Sequence, residues 1–127
     1  MKNMPPIIQE VGFDFDWDNE KVWDLDLPIE DIDIKELIWH FDIPFYWTKP
    51  NGWDLKPQTI LDNPDIYSTQ YERTMKADIK YPIDIMHWRG RWLILDGLHR
   101  LMRLHIKGEK KIKVRKVPHD KIPSIRK

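Results

Sequence analysis

The stretch WLILDGLHRL, residues 92–101, contains the pattern that decides the fold. Its first four residues are apolar and suit a buried strand, Asp96 and Gly97 interrupt them, and apolar residues at helical spacing follow at once. The pattern therefore predicts a strand that enters a helix through a single glycine. We expect the helix to run from about Leu98 to Lys107, because Gly108 stands where a left-handed residue usually ends a helix.

The predicted helix start is a candidate anion site. The first N–H groups of a helix lack partners within it, and the helix dipole gives that end a partial positive charge. Gly97 would let a ligand approach the backbone, His99 would add a donor, and Arg100 would offer a planar fork suited to phosphate oxygens. A helical wheel places the cations on one face and the apolar side chains on the other. The residues that we predict to bind phosphate or nucleotide are Gly97, Leu98, His99, Arg100 and Arg103.

The carboxylate of Asp96 has two competing interpretations. Beside a bound phosphate it would repel the ligand, unless a cation such as Mg²⁺ lay between them or the carboxylate bound a substrate hydroxyl. On that interpretation Asp96 is a catalytic and metal-binding residue. An aspartate in front of a helix is also an ordinary N-cap, and a basic outer helix face is usually only solvated.

The histidines and the missing cysteines limit the chemistry. With no Cys, disulfides, thiolate zinc sites and thiol catalysis are excluded. His40, His87 and His119 lack the spacing of known zinc motifs. His105, in the middle of the apolar helix face, is expected to be a core histidine rather than a ligand.

The first half of the chain predicts few regular elements. Residues 1–20 alternate aromatic and acidic side chains, which indicates an edge strand or a tail, and residues 22–27 alternate again and predict a short strand. Asp31 or Asp33 is expected to cap a short helix that ends at Pro44. Residues 44–66 are rich in proline and predict a loop with one helical turn near Thr59.

The second half is more regular. Capping-box spacing at residues 69–72 predicts a helix to about Ala77. Runs at 83–85 and 91–95 flank Arg89-Gly90 and predict an antiparallel hairpin. A last strand is expected at 112–117 and a tail at 119–127. The order of elements predicts an α+β fold in which a hairpin, a small mixed sheet and flanking helices form a single domain over residues 1–127.

Length and charge constrain the class of protein. A chain of 127 residues fits one domain, and it contains no run of eighteen apolar residues and no signal-peptide pattern at Met1–Gln9, so we expect a cytoplasmic protein without a membrane partner. Residues 1–66 carry a net charge of −10 and residues 67–127 a net charge of +10. Either the two halves neutralise each other inside one domain, or the basic half forms a face for phosphate or nucleic acid.

Around the helix start the sequence resembles the ParB/sulfiredoxin superfamily. The segment LDGLHR at residues 95–100 follows a hairpin opened by Tyr81-Pro82-Ile83 and precedes a strand ending VRKV at 114–117, so that the resemblance covers about residues 69–118. In that family a Gly-x-His-Arg or Gly-Glu-Arg-Arg segment opens a helix whose N-terminus holds nucleotide phosphates. The resemblance implies a small stand-alone member that binds ATP, ADP or CTP, with Mg²⁺ as a companion ion, through Gly97, His99 and Arg100.

The departures from the family narrow the activity. Sulfiredoxin carries its catalytic cysteine where this chain has Leu98, so that repair chemistry is excluded. Partition proteins have Glu and Arg in place of Leu98 and His99 and append a helix-turn-helix and a dimerisation domain, so a DNA clamp is not expected. Kinase relatives use a carboxylate near the N-terminal strand as general base. Together with Asp96, this makes Glu30 and Glu36 candidate catalytic residues.

Three functions follow as hypotheses. The first is a nucleotide-dependent phosphotransferase or nucleotide hydrolase acting on a small substrate. The second is a non-catalytic nucleic-acid-binding module. The third is a protein-binding module, like an immunity protein or antitoxin, that uses the acidic aromatic first half. The basic residues available to the second are Arg89, Arg91, Arg100, Arg103, Lys107, Lys110, Lys111, Lys113 and Arg115.

Overall fold

Four strands form one mixed sheet in the computed structural model, which describes residues 5–50 and 52–127. The strands are β1 (Glu30–Asp33), β2 (Ile83–Trp88), β3 (Arg91–Asp96) and β4 (Lys111–Lys116), in the spatial order β1-β4-β2-β3. β2 and β3 pair antiparallel, β1 and β4 pair antiparallel, and β2 and β4 pair parallel. The predicted α+β class with a small mixed sheet and flanking helices is confirmed.

Short helices flank this sheet. They are α1 (Pro6–Val11), α2 (Asn19–Trp23), α3 (Pro57–Asp62), α4 (Ser68–Lys76), α5 (Leu98–Ile106) and α6 (Ile122–Ile125), with 3₁₀ segments at Ile34–Glu36, Ile38–Asp42 and His119–Lys121. The longest helices, α4 and α5, have nine residues each. No helix in the described ranges is therefore long and apolar enough to cross a bilayer.

The hairpin and the α5 boundaries agree with the sequence. Arg89 and Gly90 both have positive φ, 51° and 88°, as a two-residue type I′ turn requires. Gly108, with φ of 79°, follows the end of α5 as expected. The loop with a helical turn near Thr59 is confirmed by α3.

The core lies on both faces of the sheet. β2 is buried along most of its length because Ile83 and Ile85 point to one face, with α5 and α3, while Met86 points to the other. The face opposite α5 is covered by the N-terminal segment and by α6, whose Ile125 is fully buried. Within residues 119–127, for which the sequence predicted a tail, Ile125 thus belongs to the core and Ile122 packs against it, while the other residues are exposed.

The edge strand or tail expected at 1–20 and the strand expected at 22–27 are replaced by other structure in the described residues, each for a physical reason. Residues 1–4 lie outside the described ranges, and the segment after them forms α1, for which Pro6 supplies a favourable first turn. The alternating aromatic residues follow α1, and Phe13 and Phe15 pack against the Trp88 ring instead of forming a strand. Within 22–27, Val22 and Trp23 end α2, which Asp18 caps, and the carbonyl oxygens of Val22 and Leu25 then accept hydrogen bonds from Arg115.

Two helices also differ in detail from their predictions. Asp33 does cap the helical segment that follows it, by accepting from the backbone N–H of Lys35, but that segment is two 3₁₀ turns. α4 begins at Ser68 without a side-chain cap, so the predicted capping box does not form. His105 is exposed on α5, which contradicts its assignment to the core; the buried histidine is His40.

Candidate functional site

The turn from β3 into α5 leaves the first helical N–H groups uncapped by side chains. Gly97 is the N-cap residue with φ of 117°, and the first helical bond runs from Leu101 N–H to the Gly97 carbonyl. Within the described residues, no side chain caps this helix start. A Cβ built on Gly97 would lie 3.2 Å from Ile83 and from the Arg100 guanidinium, so this glycine is required both by its φ and by close packing.

A cavity of about 850 Å³ opens in front of this helix start, and we call it the α5 cavity. Such a volume suits a drug-sized ligand or a nucleotide. The walls come from the N-terminal segment, the loop before α3, the end of α4, β3 and the first turn of α5. Those that bear on ligand chemistry are Trp17, Tyr46, Trp53, Arg73, Lys76, Asp96, Gly97, Leu98, His99 and Arg100.

Arg100 is held firmly at one edge of the α5 cavity. Its Nη1 donates to the Pro82 carbonyl and its Nη2 lies 3.0 Å from Asp96 Oδ2. The guanidinium has five N–H donors, so these two bonds orient the group and leave donors for a ligand.

Arg73 and Lys76 add positive charge from α4. They stand three residues apart, on one side of the helix, and both line the α5 cavity. In the described part of the chain neither side chain has a hydrogen bond or an ion pair, whereas Asp96 is paired with Arg100 and Asp78 lies 3.6 Å from Lys80. The cavity therefore has two cations whose charge is available to an anion.

His99 is positioned by two neighbours and is not a simple cation. Its Nε2 lies 3.0 Å from Gln70 Oε1, and its ring lies 4.9 Å from the ring of Tyr46. Burial lowers the pKa of His99, and the charge of Arg73 lowers it further. The ring is therefore neutral at pH 7, with Nε2–H donated to Gln70 and Nδ1 left as an acceptor.

Asp96 serves as a structural acceptor at the edge of the cavity. Its Oδ2 accepts from Trp23 Nε1 at 2.8 Å and from Arg100 Nη2 at 3.0 Å. Across the described ranges, no three His, Asp or Glu side chains come together as metal ligands. Both donors bind Oδ2, so Asp96 could supply at most one oxygen, Oδ1, to a magnesium ion, and no group of described side chains completes a site around it.

Three residues of the predicted site lie elsewhere. Arg103 does not line the α5 cavity; its Nη1 donates to the Ala77 carbonyl at 2.6 Å and ties α5 to the end of α4. Glu30 is an exposed residue of β1 near Lys116, and Glu36 is exposed in a 3₁₀ turn. The structure brings together Asp96, Gly97, Leu98, His99 and Arg100, and it does not bring Arg103, Glu30 or Glu36 to them.

Trp17, Tyr46, Trp53, Arg73 and Lys76 line the cavity and were missed by the sequence analysis. Arg73 and Lys76 had a usable signal, since their spacing puts them on one face of the predicted helix at 69–77. Tyr46 and Trp53 had none, because they come from a proline-rich loop whose path depends on tertiary packing.

The arginines of the basic half are mostly engaged inside the fold. Arg89 donates to two carbonyls of α1, and Arg91 stacks on Trp39 with its guanidinium 3.9 Å from the ring centroid. Arg115 pairs with buried Asp84 at 2.7 Å. The pairing of acidic β1 with basic β4, including Lys113 with Asp31, supports internal neutralisation rather than one continuous basic surface.

Comparison with known proteins identifies no relative of this chain. No family model, no curated protein and no solved structure matches it.

Proposed function

We propose that this protein binds a nucleotide in the α5 cavity, with the phosphates at the start of α5 and the base among the aromatic side chains. The observation that carries the proposal is the meeting, in one cavity of about 850 Å³, of an uncapped helix N-terminus with the cations Arg73, Lys76 and Arg100. Uncapped helical N–H groups together with cationic side chains form the combination that phosphate oxygens prefer.

The aromatic walls support a nucleotide over a simple phosphate. Trp53 and Tyr46 both line the cavity, with the Tyr46 ring 4.9 Å from that of His99 and the Trp53 ring 5.2 Å from that of Trp47. A flat base gains about 1–3 kcal/mol from stacking on such a ring. Assignment to the ParB/sulfiredoxin superfamily is part of the same proposal, and the strand-glycine-helix turn at Gly97 supports it.

The proposal is limited to binding. Phosphoryl transfer would need a base near the acceptor, and the predicted candidates Glu30 and Glu36 lie away from the cavity. The predicted magnesium ion would have to arrive with the nucleotide, because Asp96 could give it only one free oxygen and the described residues form no group of three metal ligands.

Isothermal titration of the full chain with ATP, ADP and CTP, with and without Mg²⁺, tests the proposal. We expect one-to-one binding of at least one nucleotide, and a loss of about fivefold to tenfold in affinity for Arg73→Ala or Lys76→Ala, since each removes a charge-assisted contact. Lys107→Ala, which removes an exposed cation at the other end of α5, is the matched control and should bind normally.

A second comparison separates the base from the phosphates. Trp53→Ala should weaken binding of the nucleotide but leave inorganic triphosphate unaffected, because only the base reaches the aromatic wall. The proposal is wrong if none of the three nucleotides produces heat, or if Lys107→Ala weakens binding as much as Arg73→Ala does.

A further inference from the structure

A second concave site lies on the other side of Arg100 from the α5 cavity. It has a volume of about 690 Å³, and we call it the Tyr81 cleft. Its apolar walls are formed by Trp23, Leu25, Leu27, Ile29, Tyr81 and Pro82. The nucleotide proposal uses none of these residues.

The walls of the Tyr81 cleft expose several large apolar side chains to solvent. Trp23, Ile29 and Tyr81 are 54%, 57% and 56% exposed, and all three lie along this one cleft. Large apolar side chains grouped on a concave surface are typical of a binding site.

The polar end of the cleft is Asp84, whose side chain is only 3% exposed. Its Oδ1 accepts from Arg115 Nε at 2.7 Å, and no other described group donates to the carboxylate. Every fully buried side-chain oxygen or nitrogen in the described ranges has a partner, so the remaining oxygen, Oδ2, must be reachable from the cleft. An almost wholly buried carboxylate thus keeps one oxygen open at the base of an apolar pocket.

Arg115 makes this arrangement rigid. The same guanidinium that pairs with Asp84 donates to the carbonyls of Val22 and Leu25, which belong to the wall segment. The wall and the carboxylate are therefore fixed to each other through one side chain. A site held in this way does not need to be assembled by its ligand.

The charges at the base of the cleft balance in pairs. Asp84 is paired with Arg115, and neighbouring Asp96 is paired with Arg100. A charged ligand would lose its hydration without meeting an unpaired opposite charge at this depth. An uncharged group that donates a hydrogen bond meets the open oxygen without that cost. Burial raises the pKa of Asp84, which also makes its oxygen a stronger acceptor than an exposed carboxylate would be.

We propose that the Tyr81 cleft binds a small uncharged molecule with an apolar body and one hydroxyl group, and that the hydroxyl donates its hydrogen bond to the open carboxylate oxygen of Asp84. Two features support a small molecule over a protein partner: the volume of the cleft and the depth of Asp84, since the two arginines that line the cleft are already paired and Asp26 is exposed to solvent. The inference does not require nucleotide binding, because the apolar walls and Asp84 do not line the α5 cavity, although Arg100 lines both sites and Trp23 donates to Asp96.

The test uses a pair of probes that differ in one donor. Amide and indole ¹H–¹⁵N spectra of the full chain are titrated with 2-phenylethanol and with its methyl ether, which has the same apolar body and no hydroxyl hydrogen. We expect saturable shifts of the Trp23 indole and of the amides of Leu25 and Ile29, with the alcohol bound about tenfold more tightly than the ether.

Asp84→Asn is the decisive variant because it keeps an oxygen for Arg115 and turns an amide N–H toward the cleft. That group can donate to either probe, so the tenfold preference for the alcohol should disappear. If the asparagine variant does not fold, Ile29→Ala provides the second measurement: it removes an exposed wall, leaves the ion pair intact and should weaken both probes. Ile66→Ala, which alters a 72% exposed side chain outside the cleft, is its control.

Three results would overturn the inference. The first is the absence of saturable shifts up to the solubility limit of the alcohol. The second is equal affinity for alcohol and ether in the wild-type protein. The third is movement of the Trp23 and Ile29 signals with protein concentration in the absence of a probe, which would make the cleft an interface between two copies of the chain.

Discussion

The Nε2 atom of His40 accepts a hydrogen bond from the backbone N–H of Ile94 at 3.1 Å, while its Nδ1 lies 2.7 Å from the Leu37 carbonyl. Ile94 lies in β3, at the edge of the sheet, and this side chain takes the place of a missing strand partner. Two tryptophans protect the same edge, since Trp39 donates to the Trp92 carbonyl and Trp17 to the Leu95 carbonyl. Side-chain bonds therefore close an edge that would otherwise be open to another chain.

Because His40 is buried, we expect the free energy of unfolding to fall in mild acid. Burial lowers the pKa of His40 from 6.5 to about 4, so the unfolded chain binds its proton more readily than the folded one. The contribution of His40 to the free energy of unfolding is complete above about pH 6.5 and is lost as the pH falls toward 4, by about 3 kcal/mol in all. Urea denaturation at a series of pH values measures this change.

His40→Gln is the comparison that isolates the histidine. Glutamine retains an oxygen that can accept from the Ile94 N–H but does not titrate. Between pH 6.5 and pH 4, the free energy of unfolding of the variant should therefore fall less steeply than that of the wild type, by the contribution of His40. His119→Gln alters an exposed histidine and should keep the wild-type slope. An unchanged slope in His40→Gln would contradict the prediction.

A second prediction concerns the glycine of the β3–α5 turn. Gly97→Ala should lower the free energy of unfolding by clearly more than Gly108→Ala. Both residues have positive φ, which costs an alanine about 1–2 kcal/mol, but only at Gly97 would the new Cβ press on Ile83 and Arg100 at 3.2 Å. Nothing lies within 4 Å of the corresponding position at Gly108. Equal losses in the two variants, measured by urea denaturation, would show that the turn can relax.

The elements predicted correctly from the sequence are those whose signals are local. The hairpin needed only Arg89-Gly90 between two apolar runs, and α5 needed only its apolar spacing between Gly97 and Gly108. In each case the backbone conformation that the turn residues prefer agrees with the fold.

The elements predicted wrongly are those decided by distant residues. The alternation at 22–27 is typical of a strand, but Val22 and Trp23 belong to α2, and Arg115, more than ninety positions along the chain from Val22, fixes the segment by donating to the carbonyls of Val22 and Leu25. Arg103 illustrates the same limit at the site, because its place on the helix wheel next to Arg100 did not reveal the Ala77 carbonyl that it bonds. A helical wheel predicts the direction of a side chain but not the tertiary contact that the side chain makes.

Arg115 should be the most important cation for stability. Arg115→Met leaves the carboxylate of Asp84 buried without its partner and removes the bonds to Val22 and Leu25, so we expect a loss of about 3–5 kcal/mol. Lys113→Ala breaks an exposed ion pair with Asp31 and should change stability by less than about 1 kcal/mol. Thermal denaturation of the two variants checks the order. A loss in Lys113→Ala as large as that in Arg115→Met would contradict it.

Substitution of Arg103 should affect stability, whereas substitution of Arg73 should affect ligand affinity. Arg103→Ala removes a charge-assisted bond to the Ala77 carbonyl, which is partly buried, and should lower the free energy of unfolding by about 1.5 kcal/mol while leaving nucleotide affinity unchanged. Arg73→Ala should do the reverse, because its exposed guanidinium has no bond to lose within the described residues but faces the α5 cavity. Urea denaturation and calorimetric titration of the same two proteins give both quantities. If Arg103→Ala weakens nucleotide binding as much as Arg73→Ala does, the phosphates extend further along α5 than the cavity indicates.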